Sequence, residues 1–244
     1  MKENLVVLEG PSGAGKSTQI GKLKEKFPNA VFGIEPTNKL FGAVIRSLYE
    51  RRPLPKEELE SCLQYGDNSS SFWVTVHHFA NQLKHGLPLG ELEMQLFYMA
   101  DRVYDIKENI LPALAGGKIF FLDRYFFSTF AIGPSGGVRF EDLLQWQLKA
   151  FKESNISAEV WRPDLAVIFD IDPRIGMERL KSSGKVIDIF EEKIERMEKI
   201  RDNYRELSKR DDLAKKIVLL DANRPMEAVT DDLMGLISSL NGAA

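Results

Sequence analysis

The residues with the clearest chemistry lie near the start of the chain, in a glycine-rich stretch that ends in lysine and serine. Gly10, Gly15, Lys16 and Ser17 fit the phosphate-binding pattern G-x-x-x-x-G-K-[ST]. In such a loop, backbone N–H groups and the start of the following helix surround an anion. Lys16 is expected to reach the outer phosphates of a nucleotide, and the Ser17 hydroxyl is expected to hold Mg²⁺. The residues of the predicted phosphate loop are Gly10, Pro11, Ser12, Gly13, Ala14, Gly15, Lys16, Ser17 and Thr18.

The sequence on either side of the loop supports this interpretation. Residues 5–8 form a short apolar run that is typical of a buried parallel strand. Residues 19–27 place Ile20, Leu23 and Phe27 on one face of a predicted helix. A glycine-rich turn that matches the pattern by chance is the alternative, but it does not require a strand before the loop and a helix after it.

A second group with possible chemistry follows the buried strand predicted at 118–122. Asp123 and Arg124 stand at the carboxyl end of that strand, where open parallel sheets bind their ligands. A carboxylate beside a phosphate loop can hold Mg²⁺ directly or through water, and an arginine fork suits phosphate. The alternative for Asp123 is an aspartate that only caps a turn.

Strands and helices alternate along the rest of the chain. Five strands are predicted, at 5–8, 30–34, 118–122, 163–169 and 216–220. Helical patterns separate them, the longest at 91–115, and a glycine-rich loop is predicted at 132–137. This alternation predicts an α/β fold with a parallel sheet.

Composition narrows the class of protein. The chain has 244 residues with a formal net charge of −3, so no general basic field indicates nucleic-acid binding. A single cysteine, Cys62, excludes an internal disulfide and a multi-cysteine zinc site, and the three histidines lack ligand spacing. No signal peptide or membrane-spanning run is recognisable, so a cytoplasmic protein is expected.

Several further motifs occur in an order that resembles the thymidylate kinase family of nucleoside monophosphate kinases. The matching stretches are Leu8-Glu9-Gly10, Glu35-Pro36 with Gly42 and Ile45-Arg46, Ala100-Asp101-Arg102, Asp123-Arg124-Tyr125 with Ser128, Arg162-Pro163-Asp164, Asp170-Ile171-Asp172-Pro173, Asp188 with Glu191, and Asp221-Ala222. The likeness covers most of the chain outside about 51–90.

The resemblance implies one three-layer P-loop NTPase domain over 1–244, with a five-stranded parallel sheet, a helical insertion at about 51–90 and a lid at about 174–190. It implies ATP with Mg²⁺ on the phosphate loop, held through Ser17 and Asp123, and phosphoryl transfer to dTMP to give dTDP. Lys16, Arg124 and the lid bases Arg179 and Lys181 would be catalytic. The implied acceptor residues are Glu35, Pro36, Arg46, Tyr98, Arg102, Asp123, Arg124, Ser128 and Glu191.

Among these, Arg124 would hold the acceptor phosphate, Arg102 would reach the base edge and Tyr98 would stack on the base. The resemblance also implies a homodimer whose partners are nucleotides, with neither nucleic acid nor membrane involved.

Departures from the family pattern keep two other functions open. They lie on the acceptor side or in the lid, at Ser12, Ile34, Ile132 with Gly133, Lys181, and Ile189 with Phe190. A kinase of another nucleotide or of a nucleoside is one alternative, with Glu35 as the base that a hydroxyl acceptor needs. A nucleotide-binding sensor that transfers no phosphoryl group is the other.

Overall fold

The computed structural model describes residues 4–182 and 194–241. Its centre is one sheet of five parallel strands in the order β2-β3-β1-β4-β5. The strands are β1 (Leu5–Glu9), β2 (Val31–Ile34), β3 (Phe120–Asp123), β4 (Leu165–Asp170) and β5 (Ile217–Asp221). The α/β prediction and its five strands are therefore confirmed.

Helices cover both faces of the sheet. They are α1 (Lys16–Lys26), α2 (Leu40–Tyr49), α3 (Lys56–Cys62), α4 (Ser71–Lys84), α5 (Glu91–Asp105), α6 (Leu111–Ala115), α7 (Phe126–Ser135), α8 (Phe140–Glu153), α9 (Ala158–Trp161), α10 (Pro173–Ser182), α11 (Ile194–Leu207) and α12 (Met226–Asn241). In residues 4–182 and 194–241, each helix is too short or too polar to cross a lipid bilayer.

The strands alternate their side chains between two apolar layers, as the pleat requires. On β1, Leu5 and Val7 join the larger core with the helices from α2 to α8 and with α11. Val6 and Leu8 face the opposite side, where they join the smaller core with α1 and α12. The result is a three-layer arrangement with β1 at its centre, so the loop that follows β1 lies over the middle of the sheet.

The long helix predicted at 91–115 is interrupted by one wide turn. Ile106–Ile110 is π-helical and joins α5 to α6. Pro112 follows that turn, and a proline inside a regular helix lacks an N–H and crowds the carbonyl four residues earlier. The wide turn relieves this conflict, because π-helical turns accommodate an extra residue without ending the helix.

The loop predicted at 132–137 begins later than expected, because α7 continues to Ser135. A Cβ on Gly133 would lie 2.6 Å from Leu143, so this glycine lets α7 pack closely on α8. Tertiary packing therefore outweighs the low helix propensity of Gly133 and Pro134.

The segment 51–90, predicted to be a helical insertion, contains α3 and α4. Phe72 and Trp73 of α4 are buried, and Trp73 packs against Phe41 of α2 with ring centroids 6.0 Å apart. Cys62 is likewise buried, as a small apolar side chain on α3. Of the predicted lid, α10 covers the first part, while residues 183–190 lie outside the described residues.

Candidate active site

The phosphate loop follows β1 directly and ends where α1 begins at Lys16. Two of its glycines are needed for close approach. Gly10 has a φ of 131°, and a Cβ there would lie 2.5 Å from the carbonyl oxygen of Phe169 on β4. Gly13 has a φ of 77°, and a Cβ there would lie 2.2 Å from the carbonyl oxygen of Gly176 on α10. The loop is thus packed between the central sheet and the helix that leads into the predicted lid.

Lys16 and Ser17 extend from the first turn of α1. The Lys16 ammonium is buried and donates hydrogen bonds to the carbonyl oxygens of Gly10 (2.8 Å) and Pro11 (3.0 Å). The Ser17 hydroxyl donates to Oδ2 of Asp123 at 3.4 Å. A positive charge therefore lies across the loop, and a hydroxyl and a carboxylate lie together at its edge.

The pair formed by Ser17 and Asp123 suits a hard divalent cation. Oδ1 of Asp123 is buried and accepts no hydrogen bond from any described residue. Mg²⁺ prefers oxygen ligands and is usually held by one or two carboxylates together with waters and substrate phosphates. The two predicted metal ligands are thus brought together, and their donor set fits Mg²⁺.

A cleft of about 660 Å³ opens beside the loop. Residues 12–19 line one side of it, and Ala222, Pro225 and Met226 line the other. Arg179 of α10 borders the same cleft, where its Nη1 donates to the carbonyl oxygen of Ala222 at 3.0 Å. The side chain of Lys181, the second predicted lid base, is exposed to solvent.

A second cleft, of about 780 Å³, lies on the other side of Arg124. Ser12, Ile34 and Arg124 line both clefts, so the guanidinium stands where the two meet. It donates to Gly10 O (3.3 Å), Ser128 Oγ (3.3 Å) and Ser12 Oγ (3.2 Å).

Arg124 keeps its charge in this half-buried position. Burial acts to lower the pKa of its guanidinium, but the neighbouring groups, among them Asp123 and Glu9, raise that pKa above its ordinary value. A permanent cation with five N–H donors therefore separates the two clefts.

Residues predicted for the acceptor line the second cleft. Tyr98 is half-buried on α5 and packs against Tyr49 with ring centroids 6.1 Å apart. Arg46 of α2 donates to the carbonyl oxygens of Thr37 (3.0 Å) and Pro36. The cleft thus has an aromatic wall and a cation held close to the end of β2.

Arg102 is completely buried and its guanidinium is heavily engaged. It pairs with Glu35 at 2.7 Å and also donates to Gln147 and Thr129. Burial raises the pKa of Glu35 well above its ordinary value, and the charge of Arg102 opposes that rise. Four of the five N–H donors of Arg102 have partners among the described residues. The role of Arg102 at a base edge therefore stays a prediction, and any such contact would use the remaining donor on Nη1.

Two residues at the site carry no predicted role. The Glu9 carboxylate is buried at the end of β1 and lies beside Ser128, which was predicted for the acceptor. Tyr204 reaches both of them from α11. An acidic residue that ends an apolar strand is a signal that could have pointed to Glu9, whereas Tyr204 has the helical spacing of an ordinary core residue. Glu191, the remaining predicted acceptor residue, lies outside the described residues.

Comparison with known proteins agrees with this geometry. The family model described as thymidylate kinase matches residues 77–233. The chain belongs to the thymidylate kinase family. Thymidylate kinase from Legionella pneumophila (strain Corby) is 32% identical over 238 residues, which is 96% of this chain and 93% of the relative.

Two other relatives align over a similar share of the chain. Thymidylate kinase from Geobacillus thermodenitrificans is 30% identical over 239 residues, covering 96% of this chain and 90% of the relative. A probable thymidylate kinase from Pyrococcus abyssi is 28% identical over 241 residues, covering 97% of each chain. These alignments extend well beyond the residues that the family model matches. The family suggested by the sequence motifs is therefore confirmed.

Proposed function

We propose that this protein is an ATP-dependent nucleoside monophosphate kinase that transfers the γ-phosphoryl group of ATP to dTMP, giving dTDP and ADP. The observation that carries the proposal is Arg124, a half-buried cation that borders both clefts. A triphosphate on the loop and a monophosphate in the second cleft would meet at its guanidinium. Membership of the thymidylate kinase family supports dTMP as the acceptor.

The reaction is an in-line displacement at phosphorus. An oxygen of the acceptor phosphate attacks the γ-phosphorus, a new P–O bond forms, and the bond to the β-phosphate oxygen breaks as ADP leaves. The attacking oxygen is already anionic, so no general base is required. Catalysis then depends on positioning and on neutralising the charge of the transferred group. Lys16 on one side and Arg124 between the clefts are suited to share that charge.

Ser17 and Asp123 would hold Mg²⁺, and Arg179 would approach the phosphates from α10. When bound, Mg²⁺ would neutralise negative charge on the phosphate oxygens. The buried Oδ1 of Asp123 supports this assignment, because a carboxylate oxygen without a donor is favourable only next to a cation or water. Lys181, as a lid base, and Glu191, as an acceptor residue, belong to the same proposal.

The second cleft would hold the nucleotide base and sugar. Tyr98 offers a ring for stacking, and Arg46 and Pro36 border the same cleft. Phosphorylation of a nucleoside hydroxyl is not proposed, because Glu35 would have to act as the base while its carboxylate is bound by Arg102.

We place the enzyme in the cytoplasm as a homodimer that binds neither nucleic acid nor membrane. The formal net charge of −3 supports the absence of nucleic-acid binding. Light scattering on the purified protein measures the assembly, and a monomer mass would contradict the dimer.

Substitution of Arg124 tests the function. With a coupled assay of ADP release and a panel of monophosphates, Arg124→Ala is expected to lose about 10³-fold in kcat, as for removal of an arginine that stabilises transferring phosphate. Arg124→Lys keeps the charge without the planar fork and is expected to recover part of the rate. Arg139→Ala is the control, because its side chain is 73% exposed at the start of α8.

Each outcome bears on a different part of the proposal. Near-normal turnover by Arg124→Ala would exclude this residue as the phosphate clamp. A wild-type protein that releases ADP with another monophosphate but not with dTMP would refute only the acceptor. Nucleotide binding without transfer to any acceptor would favour a sensor.

A further inference from the structure

The carboxylate of Glu9 is the meeting point of several hydrogen bonds at the end of β1. Its Oε1 accepts from the backbone N–H of Tyr125 (2.5 Å) and of Ser128 (3.3 Å). Its Oε2 accepts from the hydroxyls of Ser128 (2.8 Å) and Tyr204 (3.1 Å). Burial raises the pKa of Glu9, and Arg124, together with the donors from Ser128 and Tyr125, opposes that rise. Up to four donors surround the two oxygens, which favours the ionised carboxylate.

Glu9 is tied to Arg124 through the backbone. Arg124 has a φ of 70°, in the left-handed region that residues other than glycine seldom adopt. The N–H that follows it, on Tyr125, is the one that Glu9 holds at 2.5 Å. The buried carboxylate thus fixes the turn that presents the Arg124 side chain to the two clefts.

Glu9 is also tied to Arg124 through the Ser128 side chain. The Ser128 hydroxyl donates to Glu9 at 2.8 Å and accepts from Nη1 of Arg124 at 3.3 Å. Because the single hydroxyl proton goes to the carboxylate, the serine oxygen has both lone pairs free to accept. One of them meets the guanidinium, so the direction of the Arg124 fork depends on how Ser128 is held.

Tyr204 completes this arrangement from a different part of the chain. It lies on α11, and its side chain is buried. Its hydroxyl is 2.9 Å from Ser128 Oγ and 3.1 Å from Glu9 Oε2. Its single proton can go to either atom. On Ser128 Oγ it holds the serine oxygen directly, and on Glu9 it acts on the serine through the carboxylate that both hydroxyls then share.

The rest of α11 is anchored firmly to the sheet. Arg201 and Arg205 both bind the Asp170 carboxylate at the end of β4, with closest distances of 2.6 and 2.8 Å. Asn203 donates to the carbonyl oxygen of Ala131 on α7 at 2.8 Å. These contacts hold α11 against β4 and α7 without touching the Arg124 network. The Tyr204 hydroxyl can therefore be removed while the helix keeps its other attachments.

We propose that Tyr204 is a positioning residue for phosphoryl transfer, whose hydroxyl holds Ser128 and Glu9 so that Arg124 faces the acceptor phosphate. The inference rests on the proposed function, since it concerns the same arginine. It links α11 to the charge that neutralises the transferring group, so the placement of this helix affects the rate as well as the stability.

Tyr204→Phe tests the inference, because it removes one hydroxyl and keeps the ring. We expect kcat/KM for dTMP to fall about ten-fold, the loss expected for one hydrogen bond in a charged network. The KM for ATP is expected to change by less than about two-fold, because Tyr204 contacts Ser128, which lines the second cleft and not the first. Tyr65→Phe is the matched control, since its ring packs on Trp73 and Tyr104 in an aromatic cluster.

A double-mutant cycle distinguishes positioning from a general loss of stability. Ser128→Ala alone is expected to lower kcat/KM for dTMP by at least as much as Tyr204→Phe. The double variant is expected to be no worse than Ser128→Ala, because both changes break the same contact. Melting temperatures of all four proteins are measured in parallel. Should Tyr204→Phe fold poorly, Ser128→Ala is used alone, and an acceptor-specific loss remains the expected result.

Three results would overturn the inference. They are an unchanged kcat/KM in Tyr204→Phe, additive losses in the double variant, and equal changes in the KM values of ATP and dTMP that follow the melting temperature. If the wild-type enzyme phosphorylates dTMP, any of these three results leaves the proposed function intact. If the wild type accepts another monophosphate, the same cycle is run with that acceptor. A wild type that phosphorylates none refutes both proposals.

Discussion

Replacing Asp105 with asparagine should stabilise this protein at alkaline pH. Asp105 is the last residue of α5, only 2% exposed, and its Oδ1 accepts from Asn109 Nδ2 at 2.6 Å. Its Oδ2 is buried and accepts no hydrogen bond from the described residues. Burial raises the pKa of Asp105 from 3.8 to about 6, although Asn109 and Arg102 act to lower it. The folded protein therefore holds an unfavourable charge at neutral pH.

The size of the effect follows from the pKa shift. A rise of about two units corresponds to about 3 kcal/mol of destabilisation once Asp105 is ionised in both states. Because the folded pKa lies above the unfolded one, this cost is absent well below pH 3.8, grows as pH rises, and is complete above about pH 6. Asparagine imitates the neutral acid, so Asp105→Asn should gain up to about 3 kcal/mol at pH 8 and roughly half of that at pH 5. A new N–H without an acceptor would reduce the gain by about 1–3 kcal/mol.

Urea unfolding of wild type and variant at pH 5, 6.5 and 8 measures the difference. The exposed Asp231 on α12 provides the control, since Asp231→Asn removes the same charge from solvent. The expected signature is a stabilisation by Asp105→Asn that increases with pH, with little change in the control. A destabilisation that is the same at all three pH values would refute the reasoning, because it would mean that the carboxylate is favourable in its ionised form.

Two further substitutions test how the site is built. Gly13→Ala should lower the unfolding free energy by about 1–3 kcal/mol and raise the KM for ATP, because its Cβ would overlap the carbonyl of Gly176. Gly117→Ala, at a φ of 71° with open space around it, measures the backbone cost alone, and an equal loss in both variants would disprove the packing argument. Glu35→Ala should cost about 3–5 kcal/mol in urea unfolding and raise the KM for dTMP, since it leaves the charge of Arg102 buried without its partner. A loss below about 1 kcal/mol would show that Gln147 and Thr129 suffice for that charge.

The phosphate loop could be located from sequence because its parts are consecutive. The pattern from Gly10 to Ser17 carries its own strand and helix, so local rules suffice. Asp123 and Arg124 could be assigned to the same edge for a general reason. The carboxyl ends of parallel strands meet at one side of a sheet. That argument needs only the number and type of the strands, which apolar runs in the sequence reveal.

Some details of the helices could not be predicted from the sequence. The predicted loop at 132–137 became helical through Ser135 because Gly133 allows α7 to approach Leu143. The wide turn Ile106–Ile110 arose before Pro112 inside a helix that the sequence predicted as regular. In both places contacts with the rest of the molecule, or the geometry of one proline, outweighed the average propensity.

What the sequence by itself determined was the family, the α/β class and the residues of the loop, since each of these is encoded in short stretches of chain. Only the tertiary structure decided the partners of the charged groups. Arg102 meets Glu35 across 67 positions of sequence, and Tyr204 meets Glu9 across 195. A buried charge is tolerated only where donors or an opposite charge converge on it. That convergence depends on how the strands and helices pack, which no local pattern in the sequence specifies.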